Sequence, residues 1–219
     1  FLDTDKKINI VFEESNKDLD IKNNCNVPLV NSGGWGFYHV FYDEESFNKI
    51  LNNFEKLDDL EKYRLLEDRW MQFKKLSNEI VADEVGNFLK FLLYYKNEKD
   101  EDIWTYIGSI ITTLSNIDSE NNAKVFKEFV DKLTLPLSKQ LGVEVKPDDD
   151  PEIKELRGLI NKIRAKNLED ESFIKYFSEI FNSEDFESIL EGSFFNTVVY
   201  IAALDESNNV GIFLDKFMN

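Results

Sequence analysis

The sequence predicts a mainly α fold in which antiparallel helix pairs stack in series as an α-superhelix, with a short β segment at the N-terminal end. Three observations lead there. From Asp43 onward the apolar residues recur with the helical period. Nineteen Phe stand against nine Gly and four Pro, which suits long regular elements with bulky packing residues. The first 42 residues carry a different pattern, closer to the period of two that marks strands.

In that first stretch Ile8 to Glu14 alternates loosely between apolar and polar, and Asn23, Asn24 and Pro28 break the chain. Gly36 to Tyr42 (GFYHVFY) is rich in aromatic and β-branched residues and reads as a second strand. Two or three strands rarely hold together alone in water, so the segment is expected to belong to the edge of a larger sheet or to lean on the helices. Between the strands, Gly33-Gly34-Trp35-Gly36 leads into β-like sequence rather than into a helix, and it lacks the Walker lysine and the third Rossmann glycine. It reads as a tight turn that needs positive φ.

The helices follow in order. Leu60, Tyr63, Leu66, Trp70 and Phe73 fall on one stripe, and Ile153, Leu156, Leu159, Ile160 and Ile163 on another. Further helices are expected over 44–56, 81–96, 101–116, 120–141, 171–182, 184–191, 194–204 and 208–218. Asp150-Pro151-Glu152 places a capping acceptor before a Pro at the first helical position and an acid in the first turn, and Ser183 and Ser207 are expected to cap in the same way. Val143 to Asp150 (VEVKPDDD) is the candidate exposed linker.

Composition excludes several function classes. A net charge of -17 works against a phosphate backbone, so nucleic acid is not an expected partner. The longest strongly apolar stretch, Phe88 to Tyr95, is interrupted by Lys90 and falls far short of the ~20 residues needed to cross a bilayer, so no membrane span is expected. One cysteine, Cys25, permits no internal disulfide, and no Asn-x-Ser/Thr sequon occurs; both point to a cytoplasmic protein. The chain begins at Phe1 with no basic-then-apolar signal segment, and it reads as a piece of something longer.

No catalytic constellation emerges. A catalytic zinc needs three protein ligands, and the chain has one His and one Cys, so no zinc or other cofactor is expected within it. His39 is expected in a structural role, its ring satisfied in a sheet or interface. No nucleophile elbow partners it. The run Asp148 to Asp150 does not match a calcium loop and reads as a solvated helix start. Trp35, Trp70 and Trp104 are expected in the core.

Pro28 to Tyr42 (PLVNSGGWGFYHVFY) resembles the junction of the gluzincin zinc aminopeptidases of the puromycin-sensitive, endoplasmic-reticulum and tricorn-interacting kinds, where an Asn, a glycine turn and a G-[FY]-Y-R-V-x-Y strand lead into a helical C-terminal domain. Then come, in family order, a helix resembling the Arg-x-x-Leu-x-x-Asp element (Lys62, Leu65, Asp68), Phe88 to Tyr95 followed by Trp104, then Phe126, Phe129, Leu133 to Gly142, and Leu156-Arg157. His39 and Lys62 stand where the family usually has Arg. The family's H-E-x-x-H and G-x-M-E-N motifs belong to a preceding domain, and neither occurs here.

That resemblance implies residues 1–42 as the last strands of a small β-sandwich domain and 43–219 as a helical C-terminal domain, a HEAT/armadillo-like bowl over the active site. It implies a non-catalytic region of a zinc metallo-aminopeptidase, with zinc held in another domain. Its partners would be the preceding catalytic and β-sandwich domains of the same protein and the peptides being trimmed. Arg64, Arg69, Arg157 and Arg164 are the candidate substrate contacts, each weighed against an ion pair on its own helix. The alternative is a stand-alone helical-repeat scaffold that binds a partner protein.

Overall fold

A computed structural model describes residues 1–4, 7–11, 13, 15, 26–75, 82–117, 123–144, 146, 148–184, 186 and 192–218. The chain divides into two compact units, Phe1–Phe88 and Leu89–Asn219. Nine α-helices are present among the described residues: α1 (Glu44–Leu51), α2 (Asp59–Lys75), α3 (Ala82–Leu92), α4 (Glu101–Ile117), α5 (Ala123–Leu141), α6 (Pro151–Leu168), α7 (Glu171–Asn182), α8 (Ser193–Ala202) and α9 (Val210–Met218).

In the first unit α1 starts where Asp43 accepts from the Ser46 N–H at 2.8 Å, and it buries Phe47, Ile50 and Leu51. It stops at Leu51 rather than running to 56; a 3₁₀ turn over Phe54–Lys56 follows and turns Phe54 into the core. The α2 stripe buries Leu66, Trp70 and Phe73, with the Trp70 ring 5.5 Å from Phe73 and 5.3 Å from Phe88. Leu60, at the first turn of α2, stays half exposed beside the glycine turn.

The expected strand over 36–42 is not formed, and no strand is present among the described residues; of 8–14 only 8–11 and 13 are described. A strand exists only through its ladder. Gly36 to Tyr42 is instead fastened by side chains. The turn before it is as read: Asn31, Gly33 and Gly34 have φ of 60°, 77° and 67°. The Asn31 side chain closes the turn, accepting from the Gly36 N–H at 2.7 Å and donating to the Gly36 carbonyl at 3.0 Å. Trp35 consequently sits at the tip, 88% exposed, and not in the core with Trp70 and Trp104.

In the second unit α4, α5 and α8 pack on α6, and α7 packs on α8. Asp150 caps α6 as expected, accepting from the Ile153 N–H at 2.9 Å with Pro151 at the first helical position. Leu156, Ile160 and Ile163 bury the stripe. Gly108 of α4 lets the helices approach: a Cβ there would lie 3.3 Å from Ile163 Cδ1. A second cluster joins Phe177 and Phe181 of α7 to Val198, Ile201 and Ala202 of α8.

One start signal was assigned to the wrong residue. The hydroxyl of Ser207 is committed to Asp205 Oδ1 at 2.7 Å, and Asn209 receives the Gly211 and Ile212 N–H groups, so α9 begins at Val210 rather than 208. Ser183 closes α7, its hydroxyl donating to the Ile180 carbonyl, and its own carbonyl accepts from the Phe186 N–H at 3.3 Å. Most of the expected helix over 184–191 lies outside the described residues.

Candidate functional site

In the first unit, the two stretches singled out by motif are brought together. Asp68 of α2 is nearly buried and its Oδ1 lies 2.8 Å from Nδ1 of His39. The Val40 backbone N–H faces the same carboxylate and favours its charged form. Burial pushes the Asp68 carboxyl above its usual range, opposed by these two donors. Lys62, in contrast, lies 3.5 Å from Asp59 and over the Phe54 ring at 5.9 Å, away from that pair. His39 thus has a structural role, its ring satisfied by a helix carboxylate and not within a sheet.

The four candidate arginines are scattered among structural partners. Arg64 Nη1 lies 2.7 Å from Glu67 on its own helix. Arg69 lies over the Phe47 ring at 4.8 Å and donates to Gln72 at 2.8 Å. It has no carboxylate partner among the described residues, and it borders a cleft of about 260 Å³ with Tyr42, Asp43, Gln72 and Glu84.

Arg157 and Arg164 lie in the second unit. Arg157 is 1% exposed; its Nε donates to the Leu141 carbonyl at 3.1 Å, and Nη1 lies 2.7 Å from Asp149 Oδ2, out of line for a hydrogen bond. The guanidinium holds the Asp149 carboxyl below its usual range. So Asp149 is a counter-ion as well as part of a helix start. Asn161, one turn further on, donates to the Val143 carbonyl at 3.1 Å, and Tyr176 donates to Glu144 at 2.7 Å. The expected linker is therefore pinned at several points. Arg164 bridges to α5, reaching Thr134 at 2.8 Å and Asp131 at 2.9 Å. Next to this loop an open groove of about 720 Å³ is lined by Val143, Lys146, Asp170, Phe173 and Tyr176.

These features describe anchoring rather than bond-breaking, and among the described residues no three His, Cys, Asp or Glu side chains gather as a metal-binding group. What decides the family is a match over residues 28–209 to the model of the ERAP1-like C-terminal domain. The chain belongs to this family. The matched region starts at the Pro28 junction and runs through α8, so it covers the motif order on which the resemblance to gluzincin aminopeptidase C-terminal domains was drawn.

The curated relatives it resembles include two proteins of one kind. Tricorn protease-interacting factor F2 of Thermoplasma volcanium is 30% identical over 156 residues, which is 70% of this chain and 18% of that protein. The factor F2 of Thermoplasma acidophilum is 28% identical over 136 residues, 61% of this chain and 16% of that protein. The chain spans less than a fifth of the length of these relatives. No described helix is long and apolar enough to cross a membrane.

Sequence reasoning missed the pairing of Arg157 with Asp149 and the service of His39 to Asp68. Arg157 meets a carboxylate just ahead of its own helix, whereas His39 meets one 29 positions away on α2.

Proposed function

We propose that this chain is the non-catalytic C-terminal region of a zinc-dependent aminopeptidase, where it encloses the active-site cavity and helps to select peptides for N-terminal trimming. The observation that carries this reading is the family match over residues 28–209. The catalytic zinc, the H-E-x-x-H motif and the cleaved bond would all lie in a preceding domain of the same cytoplasmic protein. Residues 1–42 would complete a β-sandwich there. Exposed Trp35, Phe37 and Phe41 on a backbone that forms no strand here support that role, because large aromatics are ordinarily covered.

A region without reacting groups acts on catalysis only through enclosure and remote contacts. Arg69, lacking a carboxylate partner among the described residues and bordering a cleft, is the first candidate to meet peptide. In the complete protein, Arg69→Ala is expected to change kcat/KM for long peptides by several-fold while hydrolysis of a single-residue reporter stays within about twofold. Equal slowing of both would show that the region shapes the active site itself, and a gene encoding no H-E-x-x-H ahead of this chain would overturn the assignment to an aminopeptidase.

A further inference from the structure

Residues 30–42 are held on α2 by a few polar contacts, and the deepest of them is titratable. Asp68 Oδ1 lies 2.8 Å from the His39 ring, and the Val40 N–H faces the same carboxylate. Its side chain is 10% exposed, whereas that of His39 is 39% exposed. An ionised carboxylate so far from water is costly unless a cation stands beside it. The remaining contacts to α2 are lighter: Ser32 donates to Glu61 at 2.7 Å and Lys75 lies over the Phe41 ring, while Tyr42, accepting from the Val30 N–H at 2.9 Å, only ties the two ends of the segment together.

The charged and titratable groups around the pair are Glu61, Arg64 and Glu67 of α2, Tyr38 and Tyr42 of the segment, and Lys75, which lies over the Phe41 ring at 4.7 Å. Arg64 is engaged with Glu67. Burial, with Asp68, Tyr38 and Glu61 nearby, pushes the Tyr42 phenol up to about 12. Arginine and lysine keep their charge through neutral pH and carboxyl groups ordinarily ionise near pH 4, so the imidazole is the side-chain type here whose charge ordinarily changes between about pH 5 and 8.

We propose that His39 and Asp68 form a proton-controlled clasp, closed while the imidazole is charged and loosened when it is neutral, that sets how firmly residues 30–42 lie on α2. The direction follows from the charges. Below the imidazole range both partners are ionised and attract; above it the ring keeps one hydrogen bond but no longer offsets the buried charge. Asp68 acts in the same sense, since a carboxyl whose folded-state value is raised favours the fold at acid pH and loses that contribution as pH rises through the folded value. As pH falls through that raised value Asp68 itself takes up a proton, and the ion pair gives way to a neutral hydrogen bond.

Because His39 is the one histidine in this 219-residue chain, its ring resonances can be followed in that chain without ambiguity. The Val40 amide should shift with the same midpoint as the His39 ring. Chymotryptic cleavage within 35–42, divided by the rate for His39→Arg at each pH, should rise about two- to fivefold from pH 6 to 8.5, the scale of one partly exposed ion pair. His39→Gln should cleave fast at both pH values, and Asp68→Asn should remove the pH dependence. A flat wild-type ratio overturns the clasp. So does a Val40 amide that ignores the His39 titration, a readout that needs no variant to fold.

Discussion

Each unit fastens a non-helical segment to a helix by burying one charged side chain, and the two do so with opposite signs. In the first, α2 offers Asp68 and the segment supplies His39 and the Val40 N–H. In the second, α6 offers Arg157, which takes the carbonyl at the end of α5 and the carboxylate of Asp149. A guanidinium is always charged and has five donors in a fixed fork, so it can lie 1% exposed and hold two pieces of chain at once. An imidazole offers one contact here and remains within reach of water. The difference teaches that the permanence of an attachment follows from which partner carries the proton.

The comparison presumes that both attachments rest on sound cores, and Trp70 tests the first. Trp70→Ala removes the ring stacked on Phe73 and packed at a tilt against Phe88, and should cost about 3 to 5 kcal/mol. Calorimetry should show a melting temperature lower by several degrees; a change within one degree would mean that α2 does not hold this unit together. Arg157→Met keeps the bulk but strands the Leu141 carbonyl, and a loss of about 3 kcal/mol in urea denaturation is expected. Near-neutral behaviour would show that the guanidinium only fills space. Asp68→Asn keeps an acceptor for Val40 while removing the charge, so only about 1 kcal/mol should be lost at pH 6, and less at pH 8.5, where the imidazole is less charged. If its cost matched that of Arg157→Met, the two attachments would be alike in strength.

Much of the helical framework was legible because its causes are local. The stripes through Leu66, Trp70 and Phe73 and through Leu156, Ile160 and Ile163 are periodic, and Asp150-Pro151 is a complete start signal. The positive φ values at Gly33 and Gly34 were legible for the same reason. Ser207 misled because Asp205, two residues earlier, competes for its hydroxyl, and Asn209 was left to cap α9. Trp35 and the GFYHVFY segment misled in a different way. Aromatic, β-branched sequence states a preference for a pleated, half-covered surface, but a ladder requires a partner, and side chains on α2 settle the segment here. The contacts around Arg157 were beyond reach, since a basic residue on an apolar stripe does not say which carbonyl or carboxylate will meet it.

The ring made by Asn31 and Gly36 closes over a sequence separation of only five residues. Contacts so short in sequence form in the unfolded chain on the time scale of tens of nanoseconds, long before distant helices meet. Its loop-closure entropy is correspondingly small. The turn can therefore serve as a kinetic seed: it fixes the direction in which Gly36 to Tyr42 leaves before α2 exists to receive it, and folding of the first unit becomes a docking of a preset corner rather than a search by a free chain.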